Sequence, residues 1–133
     1  MPSTPASVTR PAANTITEEG PVKAIVAFIR VTKEEAVREA LHQLRGVTGA
    51  TFTDVRGFGR GRGHTLGATD EALAGTLPKV RVDVMVPDEH AAAVENAIAA
   101  AARTGRRGDG KVYVFTGEAA LRISSGETGG VAI

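Results

Sequence analysis

The chain contains no cysteine, which excludes disulfides, thiolate metal sites and a cysteine nucleophile and suits a reducing cytosol. It also has almost no net charge: 16 Lys and Arg stand against 15 Asp and Glu, a formal +1. A field that weak attracts neither nucleic acid nor anionic lipid, so any charge-driven function must come from local clustering. No apolar run approaches the ~20 residues of a membrane helix. The opening segment 1–20, rich in Pro, Thr, Ser and Ala, lacks the apolar stretch of a signal peptide. The expectation is a disordered tail over 1–20 and one domain over 21–133, in a cytoplasmic protein without membrane insertion.

Catalytic machinery is missing too. His42, His64 and His90 have no sequence-local nucleophile or carboxylate arrangement that defines a triad or a metal site. Neither G-x-x-x-x-G-K-[ST] nor a G-x-G-x-x-G after a strand occurs. No catalytic residue and no metal ligand is assigned, and the chain reads as a non-enzyme.

What is present is an ordered series of elements. Val22 to Val31 is a bounded β-branched run of strand length. Thr32-Lys33-Glu34-Glu35 has the spacing of a reciprocal capping box and predicts a helix start. Val37, Leu41 and Leu44 form its apolar stripe, and Gly46 is placed to cap its end. A second strand is expected over 50–57. Residues 58–78, with five Gly and no periodicity, predict a long loop, and loops of that length are usually functional. Lys79 to Val86 alternates strictly and is the clearest strand. Pro87-Asp88 opens a helix running to Arg103 with Gly105 as its stop; Lys111 to Phe115 is a fourth strand, and Leu121 to Ile123 a short fifth.

Strand, helix, strand, long loop, strand, helix, strand is the α+β ferredoxin-like βαββαβ order, with an antiparallel sheet. Two helices cover one sheet face only. Yet the first strand is apolar on both sides, and Tyr113 and Phe115 oppose Val112 and Val114. The second face is therefore expected to be buried in a homo-oligomer.

Two segments carry chemistry. In Thr104-Gly-Arg-Arg-Gly-Asp-Gly-Lys111, three Gly let backbone amides approach an anion while three cations neutralise it, as a phosphate site requires. A Gly-capped, solvated helix-to-strand turn accounts for the same spacing. Arg56-Gly-Phe-Gly-Arg-Gly-Arg-Gly-His64 is cationic with one aromatic and begins like the RNP1 motif of RNA-binding βαββαβ modules. It lies on the wrong strand, however, and lacks the aromatics that stack bases.

In combination, Val55-Arg56-Gly57-Phe58-Gly59-Arg60 with Gly63-His64-Thr65, Leu77-Pro78-Lys79-Val80, and Thr104-Gly105 with Gly108-Asp109-Gly110-Lys111 resemble the P-II signal-transduction family. The resemblance runs from about Val22 to Glu127. It implies a homotrimer that binds an adenine nucleotide (ADP, AMP or ATP) in its subunit clefts. It also implies a T-loop over 58–78 that controls a transporter or enzyme. Position by position, it places Thr51, Gly59, Arg60, Met85, Gly108, Asp109, Gly110, Lys111 and Arg122 at the nucleotide, with Lys111 and Arg122 as phosphate cations. Gly61 and Lys79 fall at the effector site. Gly61 stands where nitrogen-regulating members carry a Gln that helps hold Mg and 2-oxoglutarate, and Ser124 where the family has a second Arg. The modifiable Tyr is absent, with Ala72 nearest its place. These departures imply weaker ATP binding and a small anion such as bicarbonate in place of 2-oxoglutarate. The alternatives are an ordinary nitrogen regulator sensing ATP and 2-oxoglutarate, and an RNA-binding module.

Overall fold

The computed structural model describes residues 21–59 and 76–133. The segment 1–20, Arg60, Gly61 and most of the predicted T-loop lie outside the described residues. The elements are β1 (Val22–Ile29), α1 (Glu34–His42), β2 (Thr51–Gly57), β3 (Leu77–Pro87), α2 (Ala91–Ala102) and β4 (Gly110–Gly117). The four strands form one antiparallel sheet in the order β2-β3-β1-β4, the ferredoxin-like arrangement expected from the sequence.

Pairing register decides which residues share a face. Ile25 opposes Val84, Ala27 opposes Val82 and Ile29 opposes Val80, so these six point to the same side. Both helices lie there. Val37 and Leu41 of α1 and Ala91, Val94, Ile98 and Ala102 of α2 complete a continuous buried core. Each fully buried Val, Leu or Ile side chain contributes about 1.5–3 kcal/mol relative to exposure, and the β-branched residues of β1 and β3 suit the pleated surface.

The opposite face carries Phe28, Tyr113, Phe115 and Met85. Phe28 meets Tyr113 edge-on at 6.3 Å, Tyr113 lies 6.4 Å from Phe115, and the Arg81 guanidinium stands 5.8 Å from the Phe28 ring. Phe115 remains 54% exposed and Met85 39%. In a single chain this is an apolar strip open to water, on the face the sequence pattern expects to be covered by further copies.

Five local expectations are corrected. The loop expected over 58–78 gives its last two residues to β3, where Leu77 pairs with Gly57 and Pro78 with Arg56. Thr32 and Glu35 form no capping box: the chain enters α1 through a 3-10 turn, Val31–Lys33, with no side-chain cap bond. The Lys33 amide there donates to the Arg30 carbonyl at 2.9 Å, so the backbone itself meets part of the capping demand. Nor does Gly46 cap the helix, which ends at His42. Gly46 instead makes room for His90, whose ring would overlap a Cβ at position 46. The second helix ends at Ala102, because Arg103 is already extended (φ −73°, ψ 132°). Finally, Leu121 makes only an isolated bridge to Thr128, since a tight turn through Gly126 (φ +79°) folds the segment back at once.

The Gly46–His90 contact is directly testable. Gly46→Ala should destabilise the fold by about 1–3 kcal/mol in urea unfolding, and His90→Ala in the same chain should recover most of that loss by removing the obstructing ring.

Candidate functional site

The loop from Thr104 to Lys111 joins α2 to β4 and is shaped by one carboxylate. Asp109 accepts hydrogen bonds from the Thr104 hydroxyl, the Thr104 amide at 2.8 Å, the Gly105 amide at 2.9 Å and Arg30 Nε at 3.0 Å. The Thr104 hydroxyl and then its amide hold the Asp109 carboxyl well below the usual carboxylate range; partial burial opposes this, and Arg30 and Gly105 reinforce it. Asp109 is thus committed to the loop's own framework.

Two cations secure the outer part of the loop. Arg30 Nη2 donates to the Arg107 carbonyl at 2.6 Å, and Lys79 Nζ to the Gly108 carbonyl at 2.7 Å. In a trans peptide C=O and N–H point in opposite directions. Drawing these carbonyls towards Arg30 and Lys79 therefore turns the N–H groups of Gly108 and Asp109 to the other side of the chain. Gly105, Gly108 and Gly110 all have positive φ (86°, 99° and 105°), which only glycine adopts freely. At Gly110 no other residue fits, because a Cβ would overlap the Phe28 carbonyl oxygen. The Gly108 and Asp109 amides turned this way, beside Arg106, Arg107 and Lys111, have the chemistry of an anion cradle, and the extended Arg103 diverts the chain between the α2 C-terminus and the loop. The residues present fit a phosphate group.

Burial pushes the Lys79 ammonium below its usual value; neighbouring Arg30 adds to this and Asp109 partly offsets it. Lys79 and Arg30 reach the loop from β3 and the end of β1, at the end of the sheet where β2 stops and β3 begins. The flank of the predicted T-loop thus touches the anion loop.

The remaining expected residues do not gather around this loop. Thr51 opposes Asp83, which opposes Val26, which opposes Tyr113, so Thr51 and β4 occupy opposite edges of the sheet. Three inter-strand spacings of about 4.8 Å separate them. Lys111, on β4, therefore cannot share a pocket with Thr51 in one chain. Met85 lies on the open face of β3, and Gly59 is exposed just beyond β2. Arg122 sits in the turn after β4, 3.7 Å from the Glu127 carboxylate. Gly108, Asp109, Gly110 and Lys111 come together; Thr51 lies across the sheet from them, and among the described residues no hydrogen bond or ion pair ties Met85, Gly59 or Arg122 to the loop. Among the described residues no cluster of His, Asp and Glu is arranged to hold a metal.

Sequence reasoning gave no individual role to Arg30, Thr104 or Glu127. Arg30 lies 79 positions from Asp109, and only strand register brings them together. The part played by Thr104 was legible in principle, since a Thr five residues ahead of an Asp across a Gly-rich turn is a local side-chain pattern.

Residues 22–127 match the family model described as Nitrogen regulatory protein P-II. The chain is 48% identical over 109 residues to the nitrogen regulatory protein P-II of Rhizobium meliloti, covering 81% of this chain and 96% of the relative. It is 42% identical over 113 residues to nitrogen regulatory protein P-II 1 of Escherichia coli K12, covering 84% and 100%. A crystal structure of Arabidopsis thaliana PII bound to citrate superposes with a TM-score of 0.69 at 30% identity, covering 85% of this chain and 92% of that one.

The carboxylate framework has a pH signature. Because the folded-state value of Asp109 is depressed, its stabilisation is complete above the ordinary carboxylate value of 3.8 and is lost as pH falls below it. In urea unfolding the advantage of the native chain over Asp109→Asn should be constant from pH 8 down to about 5 and shrink below about pH 4. An advantage that does not change with pH would contradict this assignment.

Proposed function

The chain belongs to the P-II family of signal-transduction regulators, and on that premise we propose that it senses an adenine nucleotide in clefts between the subunits of a homotrimer. The observation that carries the reading is the loop 104–111, whose carbonyls are tied back by Arg30 and Lys79 and whose cations Arg106, Arg107 and Lys111 stand around positive-φ glycines. Gly108, Gly110 and Lys111 hold the phosphates, with Asp109 as the loop's internal brace. Thr51, Met85 and Arg122 complete the cleft from the neighbouring copy or the open sheet face; Gly59 and Arg60 join it at the base of the T-loop. The open apolar strip of Phe28, Tyr113, Phe115 and Met85 supports self-association. The protein does no chemistry on the nucleotide and acts in the cytoplasm.

Signalling requires that ligand contacts differ between two loop conformations. Lys79 supplies the link. It flanks segment 58–78 and donates to Gly108, so a ligand that shifts the Gly108 carbonyl or competes for the ammonium changes how that segment is anchored. Its output is the grip of residues 58–78 on a transporter or enzyme. A small anion such as bicarbonate, with or without Mg, would act beside the nucleotide near Gly61 and Lys79.

A second reading is favoured by a specific observation. Arg30 and Lys79 converge on the Arg107–Gly108 stretch, a pair of cations suited to a dicarboxylate. The relatives are named nitrogen regulatory proteins, and the Arabidopsis structure holds citrate. Sensing of 2-oxoglutarate by this pair would proceed without the side-chain oxygen that Gly61 lacks.

Isothermal titration with ATP, ADP and AMP, each with and without Mg, tests the main reading. About one nucleotide per subunit is expected, with Lys111→Ala weakening binding by about ten- to a hundredfold. Adding 2-oxoglutarate or bicarbonate separates the two effector readings by which one tightens the nucleotide. No heat from any nucleotide at millimolar concentration would overturn the proposal.

A further inference from the structure

Arg122 lies in a closed turn. Its amide donates to the Glu127 carbonyl at 2.8 Å and its own carbonyl accepts from the Gly126 amide at 2.8 Å. The turn carries the Glu127 carboxylate to the Arg122 guanidinium, Oε1 to Nε 3.7 Å. Glu127 is fixed there from a second direction: the Ser125 hydroxyl donates to Oε1 at 3.0 Å and accepts from the Glu127 amide at 3.2 Å. A cation assigned to nucleotide phosphates therefore has a carboxylate of its own turn held against it.

Fold stability does not account for this pair. Both side chains are about half exposed, and an ion pair so open to water contributes little to folding. Its electrostatic effect on a polyanion is another matter. A carboxylate beside Arg122 offsets the guanidinium charge, and the attraction so lost grows with the charge of the phosphate chain. Ser124 occupies the position two residues on where the family carries a second Arg, so no cation there outweighs Glu127.

We propose that Glu127, positioned by Ser125, sets nucleotide selectivity by weakening the pull of Arg122 on phosphate, most for ATP, less for ADP and least for AMP. The inference rests on the nucleotide reading above. The carboxylate acts through Arg122 and needs no contact with the ligand, so Glu127 is a positioning residue with an electrostatic effect.

The test is calorimetric titration of the full chain and of Glu127→Gln with ATP, ADP and AMP at low salt. The amide introduced by this substitution is neutral and its oxygen still accepts from Ser125, so the turn keeps its hydrogen bonds; an unchanged sedimentation profile verifies assembly. The substitution should tighten ATP by about two- to tenfold, ADP by less and AMP hardly at all, with the gain shrinking as salt rises. Ser125→Ala, which frees the carboxylate, should move affinities the same way by a smaller factor. Equal or weaker ATP binding by Glu127→Gln, while the native chain binds nucleotide, overturns this inference alone. A native chain and variant that both bind no nucleotide overturn the nucleotide reading and this inference with it.

Discussion

A four-stranded sheet with two helices has one face to spare, and much of this molecule follows from that constraint. α1 and α2 cover the side bearing Ile25, Ile29, Val80, Val82 and Val84. The other side holds Tyr113, Phe115 and Met85 at the surface, with Phe28 half-buried against Tyr113. A sheet meant to be wet on one face would alternate apolar with polar residues along β1 and β4; these strands do not. Covering the strip with further copies removes the mismatch. In the proposed assembly the β2 edge of one chain faces the β4 edge of another, so that Thr51 and Lys111, held apart within a chain by two intervening strands, line the same cleft.

At one end of that sheet, a single carboxylate shapes the anion loop. Asp109 gathers two amides, a hydroxyl and a guanidinium, and the Gly110 backbone lies so close to the Phe28 carbonyl that no side chain could stand there. With the loop so constrained, the direction of its peptide units is set by Arg30 and Lys79 rather than by a ligand. Preorganisation of this kind lowers the ordering cost of binding. Lys79 has a double position, since it belongs to the flank of the predicted T-loop and also to the wall of the anion loop. In the proposed mechanism, binding and signalling share that one side chain.

The fold was legible wherever the pattern is local and periodic. The alternation of Val80, Val82, Val84 and Val86 announced β3, and the burial of all four agrees; the run from Gly105 to Lys111 announced a special loop because its glycines and cations are adjacent in sequence. Cap positions were less legible. Thr32 has a capping residue's chemistry, but a 3-10 turn starts one residue earlier and takes over its task. Gly46 looked like a helix stop and is a packing site for His90, a contact made between distant parts of the chain. Arg30 and Glu127 were invisible for related reasons: one depends on the register of β1 against β4, the other on a turn whose closure depends on Gly126. Long-range pairing and tight-turn geometry leave little trace in composition or spacing.

In the proposed reading the nucleotide site forms between subunits, with Thr51 on the β2 edge contributed by one chain and Lys111 on the β4 edge by another. Co-refolding two variants tests it: Thr51→Arg, which obstructs the β2 side, and Lys111→Ala, which removes the β4 cation. Each alone should bind ATP poorly. In mixed oligomers some clefts combine the intact edge of each variant, so a fraction of the sites should recover native affinity in calorimetry. Mixtures that bind no better than the separate variants would place both residues' contributions within one chain, or outside the site altogether, and contradict an inter-subunit site.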